Sequence, residues 1–130
     1  MTDTYKIEVP IKHCPSLNKL LSMHYRTRQG MKSVAFTFMK QAIKGVPRLG
    51  KVKMVVECHS CTQRDYDNLV VGGKFAIDGM RDRFHRSGKL KSTGFLADDD
   101  MDTIVERDFS WVKAHHRVDE KYIFYITEVE

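Results

Sequence analysis

Apolar and polar residues alternate over 5–11, where Tyr5, Ile7 and Val9 interleave with Lys6 and Glu8. That period of two, bounded by Pro10 and Pro15, predicts a first strand. Residues 14–30 (CPSLNKLLSMHYRTRQG) are basic and rich in turn formers, and read as a loop. A helical period comes next. Ala35, Phe38, Met39, Ala42 and Val46 recur at the right spacing, Ser33 suits the N-cap, and Gly45 and Pro47 end the helix near Lys44. Residues 51–57 alternate again, with Val52, Met54 and Val56 on one side and Lys51, Lys53 and Glu57 on the other. A second helix is predicted from about Asn68 to Phe84, its buried face marked by Ala76, Ile77, Met80 and Phe84, with Gly73 one turn earlier. Residues 85–94 (HRSGKLKSTG) read as a basic loop and 95–100 as a short apolar–acidic segment. Residues 103–113 and 122–129 are the last two strands, joined in a hairpin by the polar turn AHHRVDE. The order β-α-β-α-β-β predicts one α/β domain over residues 1–130, a mixed sheet packed with two helices.

Charge changes this picture more than composition does. The 130 residues are 42% hydrophobic and 30% charged, enough apolar content for a core and too much for disorder. Between Val9 and Val56 there is no Asp or Glu, while that stretch carries Lys12, Lys19, Arg26, Arg28, Lys32, Lys40, Lys44, Arg48, Lys51 and Lys53. From Glu57 to Asp108 there are eleven acids. A basic half beside an acidic cluster points to a polyanion partner and a local cation site. The alternative is a set of solvated lysines on amphipathic elements.

No apolar run approaches the roughly 18–20 residues a membrane span needs. The first residues, MTDTYKIEVPIK, have no apolar signal segment, so a cytoplasmic protein is expected. Three cysteines, an odd number, argue against a disulfide framework. Cys58-His-Ser-Cys61 has CxxC spacing, but a zinc site needs two further ligands close by, so buried structural thiols are the simpler reading.

The acids fall in two places. Asp65 and Asp67 come after a strand and a short polar loop, and alternate residues of an extended segment point the same way. Two carboxylates so placed suit Mg²⁺ or Mn²⁺. Equally, Asp67 can cap the second helix. Asp98-Asp99-Asp100 precede the next strand, and a triple acid repels itself unless solvated or neutralised. If the two strands lie side by side, an aspartate of this run can face Asp65 and Asp67. Lys74 and Asp78 stand four apart on the helix, either as a surface ion pair or as a lysine beside a metal site. Tyr25, among His24, Arg26 and Arg28, is a stacking candidate for a base, whereas Trp111 reads as core.

Taken together, Arg64-Asp65-x-Asp67-Asn68-Leu69, a lysine and an aspartate four apart, Gly94-Phe95-Leu96-x-Asp98-Asp99 and the early Pro15-Ser16-x-Asn18 resemble the RusA family of Holliday junction resolvases. The resemblance covers roughly residues 5–128. It implies a homodimeric, Mg²⁺-dependent endonuclease that cuts four-way DNA junctions, in bacteria or phage-infected cells. By the same resemblance Asp65, Asp67 and Asp99 are the metal-binding carboxylates and Lys74 the catalytic lysine. Asp98 and Asp78 support the site, and Asn18, Lys19, Arg26 and Arg28 contact DNA. Two departures stand out. The Val-Val-Gly-Gly spacer sets Lys74 later than the family pattern does. A basic insert, 82–92, with Arg83, Arg86, Lys89 and Lys91, lies between Asp78 and the Asp-Asp pair as a further candidate DNA contact.

Overall fold

The alternating segments do become strands. A computed structural model describes residues 3–129 of the protein. In chain order it has β1 (Thr4–Pro10), α1 (Leu17–Ser22), α2 (Tyr25–Ala42), β2 (Val52–Ser60), α3 (Tyr66–Ile77), β3 (Arg83–Phe84), β4 (Leu90–Ser92), β5 (Ile104–Lys113) and β6 (Lys121–Glu128). Single 3₁₀ turns occupy Ile11–His13 and Arg117–Asp119. The main sheet is mixed, in the order β1-β6-β2-β5. β6 runs antiparallel to both its neighbours, and β2 and β5 are parallel. The last two strands are therefore not a hairpin, as the polar turn between them led us to expect. The chain passes the end of β2 and inserts β6 between β1 and β2. Burial explains the choice: Tyr122, Ile123 and Phe124 are all buried, as a central strand requires, while β5 takes the edge with Glu106 and Asp108 exposed.

One face of the sheet carries the core. Ile7, Val9, Val52, Met54, Val56, Cys58, Tyr122, Phe124 and Ile126 pack there with Met39 of α2 and Leu69, Ala76 and Ile77 of α3. The other face carries an open row of Lys6, Glu8, Lys53 and Glu57, cross-linked by the pairs Lys53–Glu106 (3.6 Å) and Lys121–Glu8 (3.3 Å).

Residues 14–30 are mostly helix, against the expected loop. Ser16 caps α1 by accepting from the Lys19 amide (3.2 Å), and His24 Nδ1 accepts from the Arg26 amide to start α2 (3.2 Å). Ser33 lies inside α2 and does not cap it. Arg, Gln, Met and Lys are good helix formers, and Gly30, the residue that argued for a loop, has nothing within 4 Å of a Cβ position. The helix tolerates it in open solvent.

The second predicted helix is shorter than its apolar period. α3 ends at Ile77, and residues 83–92 form the small hairpin β3–β4, which places Phe84 56% exposed and not in the core. Its turn uses Gly88 at φ 87°, a conformation open to glycine without strain. The hairpin's base is tied down. Asp82 receives a two-pronged bond from Arg48 (2.7 and 2.8 Å), its carboxylate also accepts from the Gly94 amide (3.0 Å), and its own amide donates to the Leu96 carbonyl (2.9 Å). Gly94 lies so close to the Met80 carbonyl that a Cβ would strike backbone.

The Val-Val-Gly-Gly spacer has a packing reason. A Cβ on Gly73 would stand 2.7 Å from the Phe109 ring of β5. One on Gly72 would stand 2.6 Å from the Tyr122 hydroxyl and 2.8 Å from the Arg64 guanidinium. The two glycines let α3 lie directly on the sheet. Tyr122 then donates to the Leu69 carbonyl (2.7 Å), and Arg64 donates to Tyr122 (3.1 Å) and to the Cys14 carbonyl (2.7 Å), pinning the head of α3.

Candidate functional site

Because β2 and β5 are parallel, the segment leaving β2 and the segment entering β5 lie at opposite ends of the sheet. Ser60 pairs with Lys113 at one end and Val52 with Ile104 at the other. Asp65 and Asp67 come after β2, and Asp98 and Asp99 precede β5. α3 spans the gap between them, so Asp67 and Asp78 are about 16 Å apart along its axis at 1.5 Å per residue. The strands are neighbours, as the convergence of Asp65, Asp67 and Asp99 required, but their shared direction keeps those three carboxylates apart within one chain. Among the described residues no three His, Cys, Asp or Glu side chains come together as a metal group.

At the head of α3, Asp65 is the N-cap residue, yet its side chain makes no capping bond. Asp65 and Asp67 are both exposed, and neither joins an ion pair among the described residues. Capping by Asp67 is thus not the explanation of the pair. Beside them a pocket of about 390 Å³ is lined by Ser16, Arg64, Asp65, Asn68 and Glu120. Asn68 Oδ1 accepts from the Asn18 amide at 3.4 Å. The fold therefore joins the Pro-Ser-x-Asn segment to the Asp-x-Asp-Asn segment, although they are fifty residues apart.

At the tail the acids are already engaged. Arg81 Nε stands 3.7 Å from both Asp78 Oδ1 and Asp99 Oδ1. Arg107 Nη2 donates to the Asp99 carbonyl. Asp98 Oδ1 accepts from the Asp99 amide (2.7 Å) and Asp100 Oδ1 from the Thr103 amide (2.9 Å), so this triple acid builds a turn. Asp78 pairs with Arg81 and not with Lys74, which is exposed on the same stripe of α3 as Asp67, two turns along. Arg81 gave no signal in the sequence because its role depends on the turn at 78–80.

The basic candidates divide. Lys19, Arg26, Arg86, Lys89 and Lys91 are exposed. Arg28 turns inward and donates to the Leu20 carbonyl (2.6 Å), joining α2 to α1. Arg83 stands over Phe36, its guanidinium carbon 3.6 Å from the ring centroid. Tyr25 is 68% exposed at the start of α2. Trp111 is part of the sheet, Nε1 donating to Ser60 Oγ (2.8 Å). His115 and His116 are exposed in the crossing turn.

Cys14, Cys58 and Cys61 are all unbridged, the first two buried. Burial pushes the Cys14 and Cys58 thiols up, which suits inert core residues. Among the described residues no helix is long and apolar enough to cross a membrane. No protein-family model matches the chain, and no curated protein matches it.

Proposed function

We propose that the protein is a metal-dependent endodeoxyribonuclease acting on branched DNA, of the kind its RusA-like motifs imply. One observation carries this reading: the Asp65 and Asp67 carboxylates stand exposed at the head of α3, beside the Ser16–Asn18 segment, with no ion-pair partner among the described residues. Exposed acids that no ion pair engages among the described residues are available to a cation. Mg²⁺ is commonly held by one or two carboxylates, with substrate phosphates and water completing its shell. Asp65 and Asp67 fit that half-site, with Mn²⁺ as a substitute. Asp99 does not fit it within the chain.

Asp65 and Asp67 would hold a divalent ion there, which would supply an activated water and neutralise phosphate charge. The chain's own residues do the rest. Arg64 and Tyr122 fix the helix that presents the two carboxylates. Asn18 and Asn68 place the α1 segment against it. Lys19 and Arg26 extend positive charge from that site along α1 and α2. Lys74 lies along the helix where it can meet a neighbouring phosphate. A homodimer belongs to the same reading: two chains present two half-sites, as paired incisions of a four-way junction need. The proposed setting is the cytoplasm of a bacterial or phage-infected cell.

The test is incubation of a synthetic four-way junction and a matched linear duplex with wild type and Asp67→Asn, with and without Mg²⁺. Wild type is expected to cut the junction only with metal, and Asp67→Asn to bind without cutting. Cleavage retained by Asp67→Asn sinks the assignment. A second reading, a structure-selective DNA-binding module without catalysis, is favoured by the structural engagement of the tail acids, Asp78 and Asp99 with Arg81 and Asp98 and Asp100 with backbone amides. It predicts junction binding indifferent to Mg²⁺ and no Asp-dependent heat in a metal titration.

A further inference from the structure

The hairpin β3–β4 does more than lengthen a loop. It stands against α2 and encloses with it a cavity of about 310 Å³, open at its mouth and near the lower end of the roughly 300–1,000 Å³ range of ligand sites. Lys40 enters from α2, Arg83 and Lys91 from the hairpin, and the hydroxyls of Ser92 and Thr93 lie at its edge. No Asp or Glu among the described residues lines it. Three basic residues line one cavity with no carboxylate in its lining, so the cavity favours an anion over a cation. Phe36 also lines it, with the Arg83 guanidinium carbon 3.6 Å from its ring centroid and Lys32 Nζ 5.8 Å from the same ring. Burial and the neighbouring Arg81 pull the Arg83 guanidinium down, while Asp78 opposes them. The walls are anchored, since Arg48, Asp82 and Gly94 lock the hairpin's base.

We infer that the cavity between α2 and the β3–β4 hairpin is a clamp for a backbone phosphate of a nucleic-acid strand, gripped by Lys40, Arg83 and Lys91. The ligand is a strand and not a lone phosphate ion because the basic surface continues beyond the cavity, through exposed Arg86 and Lys89 in the hairpin turn. Gly79, just past the tail of α3, also lines it. The clamp therefore holds DNA about a helix length from Asp65 and Asp67, as a second point of contact and not as part of the cutting centre. It rests on the reading that the chain binds DNA, not on the reading that it cuts it.

The experiment measures binding of a fluorescent four-way junction in EDTA, by anisotropy, across a salt series. Lys40→Ala/Lys91→Ala removes two exposed lysines, and melting by circular dichroism checks that it folds. Lys6→Ala/Lys53→Ala, on the open sheet face, removes the same charge elsewhere. The clamp variant is expected to bind roughly tenfold more weakly, with the slope of log affinity against log salt reduced by about 1, for the one phosphate the cavity holds. The control pair is expected to stay within about twofold of wild type, as scattered charges off the contact surface should. In Mg²⁺ the clamp variant is expected to show raised KM for the junction with kcat unchanged. Arg83→Lys, which keeps charge and loses the stack, is expected to fall between the clamp variant and wild type.

Unchanged affinity and slope in the clamp variant overturn the inference, and so does an equal loss in the control pair. Inorganic phosphate is expected to compete with DNA on wild type beyond the effect of chloride at equal ionic strength, and not on the variant; phosphate that binds wild type without displacing DNA also overturns the inference, by making the site one for a free anion. These outcomes leave the nuclease reading to its own test at Asp67. Weakened binding by the clamp variant in a wild type that never cuts keeps the clamp and removes the nuclease.

Discussion

The two ends of α3 carry the same residue type and treat it in opposite ways. At the tail, Arg81 stands between Asp78 and Asp99, and backbone amides take Asp98 and Asp100. At the head, Asp65 and Asp67 have no such partners among the described residues, although the carboxylates of this helix end sit in a net basic chain. An acid whose charge the fold has already balanced is accounted for by stability. One left unbalanced and exposed costs little in water and is available to a ligand. Counting aspartates along the sequence treats the two ends alike, whereas the ion pairs separate them.

The largest expected effect lies at the head. Asp67→Asn should lower junction cleavage by about 10²–10³-fold, the usual size of losing one well-placed electrostatic group. It should leave stability within about 0.5 kcal/mol, as for an exposed residue with no structural partner. Junction affinity in EDTA should hold or rise, because a negative charge facing phosphates is gone. Rate and melting curves on one preparation check both halves. A loss of several degrees in Tm would show that the head, like the tail, is structural, and the comparison would fail.

The next effect concerns what holds the head in place. Gly72→Ala must displace Tyr122, Arg64 or α3 itself, and should cost about 1–3 kcal/mol, the range for overpacking. Gly30→Ala, in the open part of α2, should instead stabilise by up to about 1 kcal/mol. Urea midpoints of the two variants check the contrast. Equal effects would mean that close approach of α3 to the sheet is not what the glycine pair provides.

The same contrast separates what the chain discloses locally from what only folding decides. The alternation around Ile7, Val9, Met54 and Val56 and the Ala76–Ile77 period mark β1, β2 and α3, because each reports burial on one side of a local element. The α/β class is legible from them. The Asp65–Asp67 pair, with Asn68 and Asn18, is also legible as local chemistry. Sheet order is not, because nothing local tells β6 to pair with β2 in preference to β5. Nor does any one segment record that β2 and β5 will run parallel, the direction that keeps Asp99 from Asp65. The hairpin at 83–92 is hidden by Phe84, an apolar residue in phase with the helix that nevertheless faces solvent. The first half of α2 is hidden by Gly30, whose cost as a helix residue says nothing about the room around it.

A third effect, smaller again, is set by pH at the tail. The Arg48 guanidinium, through its bond to Asp82, holds that carboxyl below the usual range, with burial opposing and the Gly94 amide assisting. A lowered carboxyl pKa stabilises the fold above the unfolded value, near 4, and that stabilisation is lost as pH falls through the folded value. Half of the Arg48 side chain is open to solvent, so the pair is worth about 1 kcal/mol or less. Asp82→Asn should therefore be less stable than wild type at pH 7 and converge with it in acid, below the folded value. Urea melts in the two conditions measure this. A difference that persists in acid would assign Asp82's role to shape and not to charge.

The smallest effect is the most pointed test of the comparison. Asp99→Asn leaves Arg81 with Asp78, at the same 3.7 Å, and keeps the Asp99 carbonyl that Arg107 uses. Both carboxylates and the guanidinium are roughly one-third exposed, so stability should change by only a few tenths of a kcal/mol. Asp78→Asn should behave the same way, since the two acids are equivalent around one cation. Doing both should cost more than the sum, because Arg81, whose Nε is buried without a hydrogen-bond partner, then has no counter-charge. A double-mutant cycle read by urea unfolding checks it. Strict additivity would mean that Arg81 does not couple the two acids, and the tail would then be no more neutralised than the head.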